Sequence, residues 1–300
     1  MRTHRRFHWI LSAYLTLLPV LAAAQGAPPL SSASATGLAR LRADLDGGGD
    51  FSVNAAAVRA KLGRAFGTRT SADVSVSYVY EDWHFGTPNA LGSTAPWGTI
   101  HQPSVGASVR YAYSDALALL VAPQVEWNYE TGASASEGLS YGAVVGAIYT
   151  YSKTLTVGVG AAAFRQVNRT QVFPFVIVNW QITDKLLLSN PLEAGPTGGP
   201  GVELTYEISE PWDVGIGVAF RDTRFRLRRD GPTPNGIGQE KGVPIFAHLA
   251  FSPSQALTFD FYAGAIVSGN MRVLDSSGAT LSSSDYKTQP VLGIRAAYAF

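Results

Sequence analysis

The chain of 300 residues contains no cysteine, only 15% charged residues and five histidines. Its body also lacks any run of the ~18 or more apolar residues that a membrane helix requires. Each absence removes a class. Without cysteine there is no disulfide framework and no thiolate metal or redox site. A formal net charge of +1, without a basic stripe, argues against a nucleic-acid partner. His84, His101 and His248 stand apart from any carboxylate or second histidine at metal-ligating spacing, so no metal, cofactor or catalytic site is expected and the chain does not read as an enzyme. Helical periodicity is hard to find beyond the N-terminus.

What the chain does have is glycine (31), aromatics (11%) and a period of two. In "DVSVSYVY", Val74, Val76, Tyr78 and Tyr80 alternate with Ser75, Ser77 and Val79. In "SVGASVRYAYS", Val105, Ala107, Val109, Tyr111 and Tyr113 alternate with Gly106, Ser108, Arg110 and Ala112. Strands around residues 117–129, 214–221 and 257–265 repeat the pattern: one apolar face, and one face that is small or polar. Several runs exceed ten residues, long for a globular strand and suited to one that crosses a bilayer at a tilt.

The first 24 residues, "MRTHRRFHWILSAYLTLLPVLAAA", place a basic head before an apolar run and end in small residues. That is the build of a secretory signal cleaved near Ala24. Its removal takes Arg2, Arg5 and Arg6 and no acid, moving the formal charge from +1 to −2. Residues 25–36 read as a short flexible segment and residues 37–300 as one barrel domain.

A weak repeat divides the body. "YSDALAL", "YSKTLTV", "ITDKLLL", "ISEPWDV" and "FSPSQAL" each begin with an aromatic or aliphatic residue, then Ser or Thr, then turn residues before a new strand. Counted from Ser114, successive turns are 38, 31, 26 and 43 residues apart, room for two strands and a longer connection. Those longer connections fall near 84–103, 130–138, 190–199, 225–242 and 271–286. Short turns alternating with long loops predict an all-β, antiparallel, up-and-down transmembrane β-barrel of about 14 strands, or 12 if the weak strands at Leu38–Leu45 and "KLLLSNP" are dropped. A soluble sandwich would need the Gly-, Ala- and Ser-rich face as its wet exterior, to which it is poorly suited.

The inner face then carries Arg40, Arg42, Asp44, Arg59, Lys61, Arg110, Glu126, Glu203, Glu207, Arg221, Asp260 and Arg295. Charges of both signs can line an aqueous pore or close it by pairing across the lumen. "RDTRFRLRRDG" sets Arg224, Arg226 and Arg228 at the outer end of one strand, where guanidinium groups would suit lipopolysaccharide phosphates, or would form a solvated loop base beside Asp222 and Asp230. Trp83, Trp127 and Tyr129 near the long loops, and Tyr113, Tyr151, Trp180, Trp212, Phe251, Tyr298 and Phe300 near the short turns, sort into two interfacial girdles. The glycines of "VGVGAAA" and "VGIGVAF" lie inside strands and relieve crowding in the lumen.

The last strand, "KTQPVLGIRAAYAF", puts Leu292, Ile294, Ala296, Tyr298 and Phe300 on one face. It resembles the C-terminal assembly signal of Gram-negative outer-membrane barrels, which implies that the barrel-insertion machinery reads Tyr298 and Phe300. From "QVFPFVIVNWQITDKLLLS" through "VGIGVAFRDTRFRL" to "FDFYAGAIVSGNMRVLDSSG", roughly residues 150–300, the sequence also resembles an uncharacterised, domain-of-unknown-function family of outer-membrane β-barrels. That likeness implies fold and bacterial outer-membrane location, with lipid and lipopolysaccharide as surroundings, but no mechanism and no oligomeric state. The charged inner face points to a channel or passive transporter for small solutes. The alternative is a closed structural or surface-interaction barrel acting through its loops. Transport of apolar compounds would need a lateral opening, and no sequence feature marks one.

Overall fold

A computed structural model describes residues 31–190 and 194–300, so the signal segment lies outside the described residues. Seventeen strand segments follow one another: β1 (Ser32–Asp44), β2 (Asp50–Phe66), β3 (Thr70–Phe85), β4 (Thr99–Ala112), β5 (Leu117–Trp127), β6 (Tyr129–Glu130), β7 (Leu139–Thr150), β8 (Leu155–Gln166), β9 (Arg169–Gln181), β10 (Leu186–Ser189), β11 (Gly201–Ser209), β12 (Trp212–Ala219), β13 (Arg221–Arg226), β14 (Ile237–Phe251), β15 (Leu257–Leu274), β16 (Thr280–Tyr286) and β17 (Gln289–Ala299). β6, β13 and β16 are outer prolongations of their neighbours. The remaining segments form a 14-stranded antiparallel wall.

β17 closes on β1 from Ser32↔Ala299 to Arg40↔Val291, so the two end strands pair along their length. Closure matters because hydrocarbon offers unpaired N–H and C=O groups no water. The alternation read in the sequence sorts the two faces. Val58, Leu62, Val74, Val76, Val105, Val109, Ile216, Ile245 and Ile294 are exposed on the outside, an apolar belt that only a bilayer would cover. The aromatics Tyr113, Tyr151, Trp180, Tyr298 and Phe300 are exposed beside the short turns.

The glycines of β7 and β8 face inward where bulky side chains cross them. A Cβ on Gly160 would meet Phe175 Cζ at 2.3 Å and Val145 O at 2.5 Å, and one on Gly158 would meet Ala147 O at 2.7 Å. Glycine is needed here for room rather than for backbone freedom.

Four expectations are corrected. β1 begins at Ser32, inside the segment read as flexible, because Ser32–Ala35 pair with both β2 and β17. Residues 225–242 and 271–286, read as loops, contain strand at their ends: the last residues of β13, the start of β14, the end of β15 and all of β16. Trp83 is buried and stacks on Phe51 and Phe85, so it belongs to the core rather than to a girdle. Arg42 and Asp44 lie outside the lumen: a bulge between Arg40 and Ala43 resets the alternation, burying Ala43 and leaving the Arg42 side chain 74% exposed beside Asp50, at 2.5 Å.

Candidate functional site

The outer prolongations do not rise as loops. β13 reaches β6 on the opposite wall, where Arg226 lies beside Tyr129 in a parallel bridge and donates its backbone N–H to Asn128 O at 2.9 Å. β14 is bulged between Lys241 and Val243, and β16 pairs with the outer end of β15. The four outer segments thus form a flap across the mouth of the barrel.

Beneath the flap lies its apolar core. Phe225, Leu227, Met271, Val273 and Tyr286 pack against Phe51, Val53, Trp83, Trp97 and Ile100 of the β2–β4 side. Trp97 meets Phe225 edge to face at 5.2 Å between ring centroids, and Tyr286 meets Phe51 the same way at 5.0 Å. Aromatic rings bury large areas in preferred geometries, and here they pack the flap against the wall at the mouth.

Below this cluster is a buried run of charge. Arg40 pairs with Glu240, whose other oxygen accepts from Arg221 Nε at 2.8 Å; Arg221 also donates to Glu81 at 2.5 Å. Gln289 accepts from Arg40 at 2.9 Å, and the Tyr286 hydroxyl donates to Glu240 at 2.9 Å. The Arg40 guanidinium also lies over the Trp83 ring, 4.8 Å from its centroid. Two cations and two carboxylates cancel, and nearly every donor has an acceptor, which is what makes buried charge tolerable. Because Arg40 and Glu81 belong to the wall (β1, β3) and Arg221 and Glu240 to the flap (β13, β14), the run ties one to the other. Glu81 and Glu240 lay outside the sequence reading. Glu81 falls in step with Ser75 and Ser77 on the polar face of its strand, and Glu240 in a stretch read as a loop.

The other expected lumen residues fall into separate groups. Arg59 lines a central cavity. Glu203, Asp260 and Arg295 are buried on β11, β15 and β17 near His248, with Arg295 donating to Asp260 at 3.1 Å. Arg110 is buried on β4 with Nε and Nη1 lacking a hydrogen-bond partner. Glu126, half-buried, accepts from Asn128 at 2.8 Å. Glu207 is half-buried at the inner end of β11.

Two headgroup candidates are corrected. Arg224 and Arg226 are buried, and Arg226 Nη1 donates to Asn235 O at 2.7 Å inside the flap. Arg226 thus ties the flap together, and neither side chain is exposed to lipid. Arg228 is half-buried at the mouth, its backbone N–H bonded to Glu130.

The loop after β10 also turns inward. Ala194 is fully buried against Phe246, Gly195 N–H donates to Glu203 at 2.9 Å, and Thr197 O accepts from Arg221. Between this loop and the β1–β4 wall lies a cavity of about 270 Å³, lined by Leu38, Ala55, Ala57, Arg59, Val79 and Gln102 on one side. Gln166, Gln171, Phe173, Phe220 and Thr223 line the other.

The family described as a domain of unknown function, DUF6268, matches residues 132–235, a shorter and more N-terminal span than the sequence resemblance. That span runs from the β6–β7 connection through the inward loop and β13. No curated protein sequence matches. Among solved structures, the COG4313 outer-membrane channel from Pseudomonas putida F1 is similar at 8% identity, covering 91% of this chain and 96% of that one, with a TM-score of 0.50. The likeness is one of fold. A Pseudomonas aeruginosa FadL homologue (12% identity, 91% of each chain, TM-score 0.48) and the P. putida toluene transporter TodX (6% identity, 94% and 92%, TM-score 0.44) are more distant in shape. The architecture is therefore that of an outer-membrane β-barrel.

Proposed function

We propose that this chain is a passive outer-membrane transporter for small solutes whose outer mouth is kept shut by a folded-in flap. The observation that carries the reading is the cavity of about 270 Å³ held in mid-lumen among Arg59, Gln102, Gln166 and Gln171. A barrel serving only as a wall or surface scaffold has no need to keep such a space there. The fold it shares with an outer-membrane channel supports the same reading. Exported through its N-terminal signal, the barrel sits with its apolar belt in outer-membrane lipid, its Tyr298 and Phe300 read by the insertion machinery and Arg228 nearest to lipopolysaccharide phosphate.

A closed structural barrel is the second reading, favoured by the Arg40–Glu240–Arg221–Glu81 run. Uptake separates the two. Cells carrying the barrel in a lipopolysaccharide-bearing outer membrane are given a pentose and N-phenyl-1-naphthylamine. Faster entry of either compound than in cells without the barrel supports transport. Unchanged entry of both, with folding shown by heat-modifiable gel mobility, overturns it in favour of the closed barrel.

A further inference from the structure

The flap has two faces whose charges balance differently. Toward the β1–β4 wall it sends Arg221, Phe225, Glu240 and Met271, where charges pair and rings pack. Directly opposed residues of an antiparallel pair share a face. The pairs Arg224↔Gln239 and Gln239↔Arg272 therefore set Arg224, Gln239 and Arg272 in one row across β13, β14 and β15 on the other face. The adjoining rows are Asp222, Lys241 and Asn270 on one side, and Arg226, Ile237 and Leu274 on the other. The β8–β9 hairpin packs on this face. Val167 meets Ile237 and Leu274, Asn168 Nδ2 donates to Ser276 O at 2.7 Å, and Arg169 pairs with Asp222 at 2.9 Å.

Cations outnumber acids here. Arg169, Arg224, Arg226, Lys241 and Arg272 are set against Asp222 and, at the far edge, Asp285, which accepts from Asn270 at 2.7 Å. Glu137 approaches Arg226 Nε only to 3.9 Å. Asp222 is fully engaged: Oδ2 accepts from Arg169 and lies 3.4 Å from Lys241 Nζ, while Oδ1 accepts from Gln239 at 2.7 Å. Arg226 donates to Asn235 O, and Arg272 Nε to Asn270 at 3.0 Å. Arg224 differs from these. It is only 6% exposed, its charged neighbours include Arg169, Arg226 and Arg272, and its Nε, like that of Arg169, lacks a hydrogen-bond partner among the described residues. A buried cation without a partner is costly, and like charges beside it add to the cost. An anion held among them removes both.

We infer that this face of the flap binds a phosphate-type oxyanion between Arg224, Arg169 and Arg272. The site does not depend on flux, since a closed barrel would carry it as well as a transporter. A guanidinium donates through a planar fork that matches two oxygens of a phosphate. Neighbouring strands lie ~4.8 Å apart, so Arg224 and Arg272 flank Gln239 at a backbone separation of about 10 Å, a span that two long side chains close around one anion. A phosphate offers three acceptor oxygens or more and serves all three arginines; a carboxylate has two. Arg224 and Gln239 are buried and form the floor, while Arg272 is exposed and the Arg169 side chain is 24% exposed at the rim. The rim admits phosphate from either of two sources, a dissolved solute or the lipopolysaccharide around the mouth.

The full-length barrel, refolded in detergent free of lipopolysaccharide, is titrated with inorganic phosphate and, at equal ionic strength, with chloride. Calorimetric heat and the thermal midpoint are read, since a ligand that binds only the folded state raises the midpoint. The expected result is saturable binding of phosphate, weakened at least tenfold in Arg224→Gln and several-fold in Arg272→Gln. Arg42→Gln, whose guanidinium pairs with Asp50 near the outer end of β1, should bind as the wild type does. Without phosphate, Arg224→Gln should be no less stable than the wild type, because it removes a buried charge. If that variant fails to fold, the exposed Arg272→Gln decides. A second arm places the barrel in vesicles bearing lipopolysaccharide, either intact or stripped of its lipid A phosphates. A response to free phosphate assigns the anion to a dissolved solute. A midpoint raised only by intact lipopolysaccharide, and not in the arginine variants, assigns it to the lipid. No response in either arm, an equal response to chloride, or phosphate binding that survives both substitutions overturns the site.

Discussion

β2 and β3 run beside each other for their full lengths, whereas β9 keeps three register pairs with a four-residue β10. Both regions face the same apolar surroundings, so the difference cannot come from solvent. It comes from what the strands must leave room for. On the β2–β3 side the inner face is filled by the flap, Phe225 and Met271 lying over Phe51 and Val53, and there the wall gains from being continuous. On the β9–β11 side the inward loop and the cavity take up the space instead. Stability is thus unevenly spread, as local-opening behaviour in proteins generally requires of parts that move or admit ligands.

The largest effect is expected from the tie between flap and wall. Glu240→Ala leaves Arg40 and Arg221 facing each other without the carboxylate between them. Breaking a buried pair by removing one partner costs about 3–5 kcal/mol. Thermal unfolding followed by gel mobility should therefore shift well below the wild-type midpoint, and single-barrel conductance should rise as the flap loosens. Glu240→Gln, which keeps the shape and one acceptor, should recover part of the stability. An unshifted midpoint would mean that the apolar cluster alone holds the flap.

Next comes crowding in the inner wall at β8. Gly160→Val places a branched side chain where even a Cβ meets Phe175 and Val145 O closer than 3 Å. Overpacking of this kind costs roughly 1–3 kcal/mol. A side chain at Gly67, in the β2–β3 turn with open space around it, meets strain only from its φ of +68°. Refolding yield in detergent should therefore fall more for Gly160→Val than for Gly67→Asn, a residue that accepts a left-handed backbone.

A smaller effect bears most directly on the contrast between the two regions. Asn190→Ala removes the two 2.6 Å bonds that extend β10 along β9. Each hydrogen bond is worth about 0.5–1.5 kcal/mol net, so global stability should fall modestly. Amide exchange of Val178, whose donor loses its acceptor, should speed up strongly while that of Val58 on β2 stays as it was. Equal acceleration at both sites would show that the wall opens as one unit and that the β9–β10 side is not a separate weak point.

How much of this was legible beforehand follows from what sets each feature. A period of two is imposed by the pleat itself, so the strands, the two faces and the 14-stranded wall could be read from alternating residues such as Val74, Val76 and Tyr78. The inner placement of Arg40, Arg110, Glu203 and Asp260 follows from the same parity. Arg42 was misplaced because one extra residue in a bulge inverts parity, and no residue type announces it. The flap was hidden because its strands, among them "RDTRFR" (β13) and "TLSSSDY" (β16), carry the Arg, Asp and Ser of loops. Their pairing is set by burial against Phe51, Trp83 and Trp97, which lie over a hundred residues away. The shortness of β10 was half visible: Pro191 follows it in the sequence, but only the fold shows that it keeps three register pairs with β9.

The smallest change in stability is expected at the seam, where the wall is well paired to its last residue. Phe300 is exposed and stacks on Tyr298 with ring centroids 6.1 Å apart, while its backbone N–H donates to Ser31 O at 2.9 Å. Deleting it removes one hydrogen bond and one exposed ring, but the nine register pairs from Ser32↔Ala299 to Arg40↔Val291 remain. The refolded barrel should lose no more than about 1 kcal/mol, so its unfolding midpoint in detergent should barely move. If the terminal aromatic addresses the chain to its insertion machinery, the amount reaching the outer membrane in cells should fall severalfold nonetheless. Midpoint and membrane yield falling together would make Phe300 a structural clasp of the seam. Neither falling would leave Tyr298 to carry the signal, since it stays on the same outward face of β17.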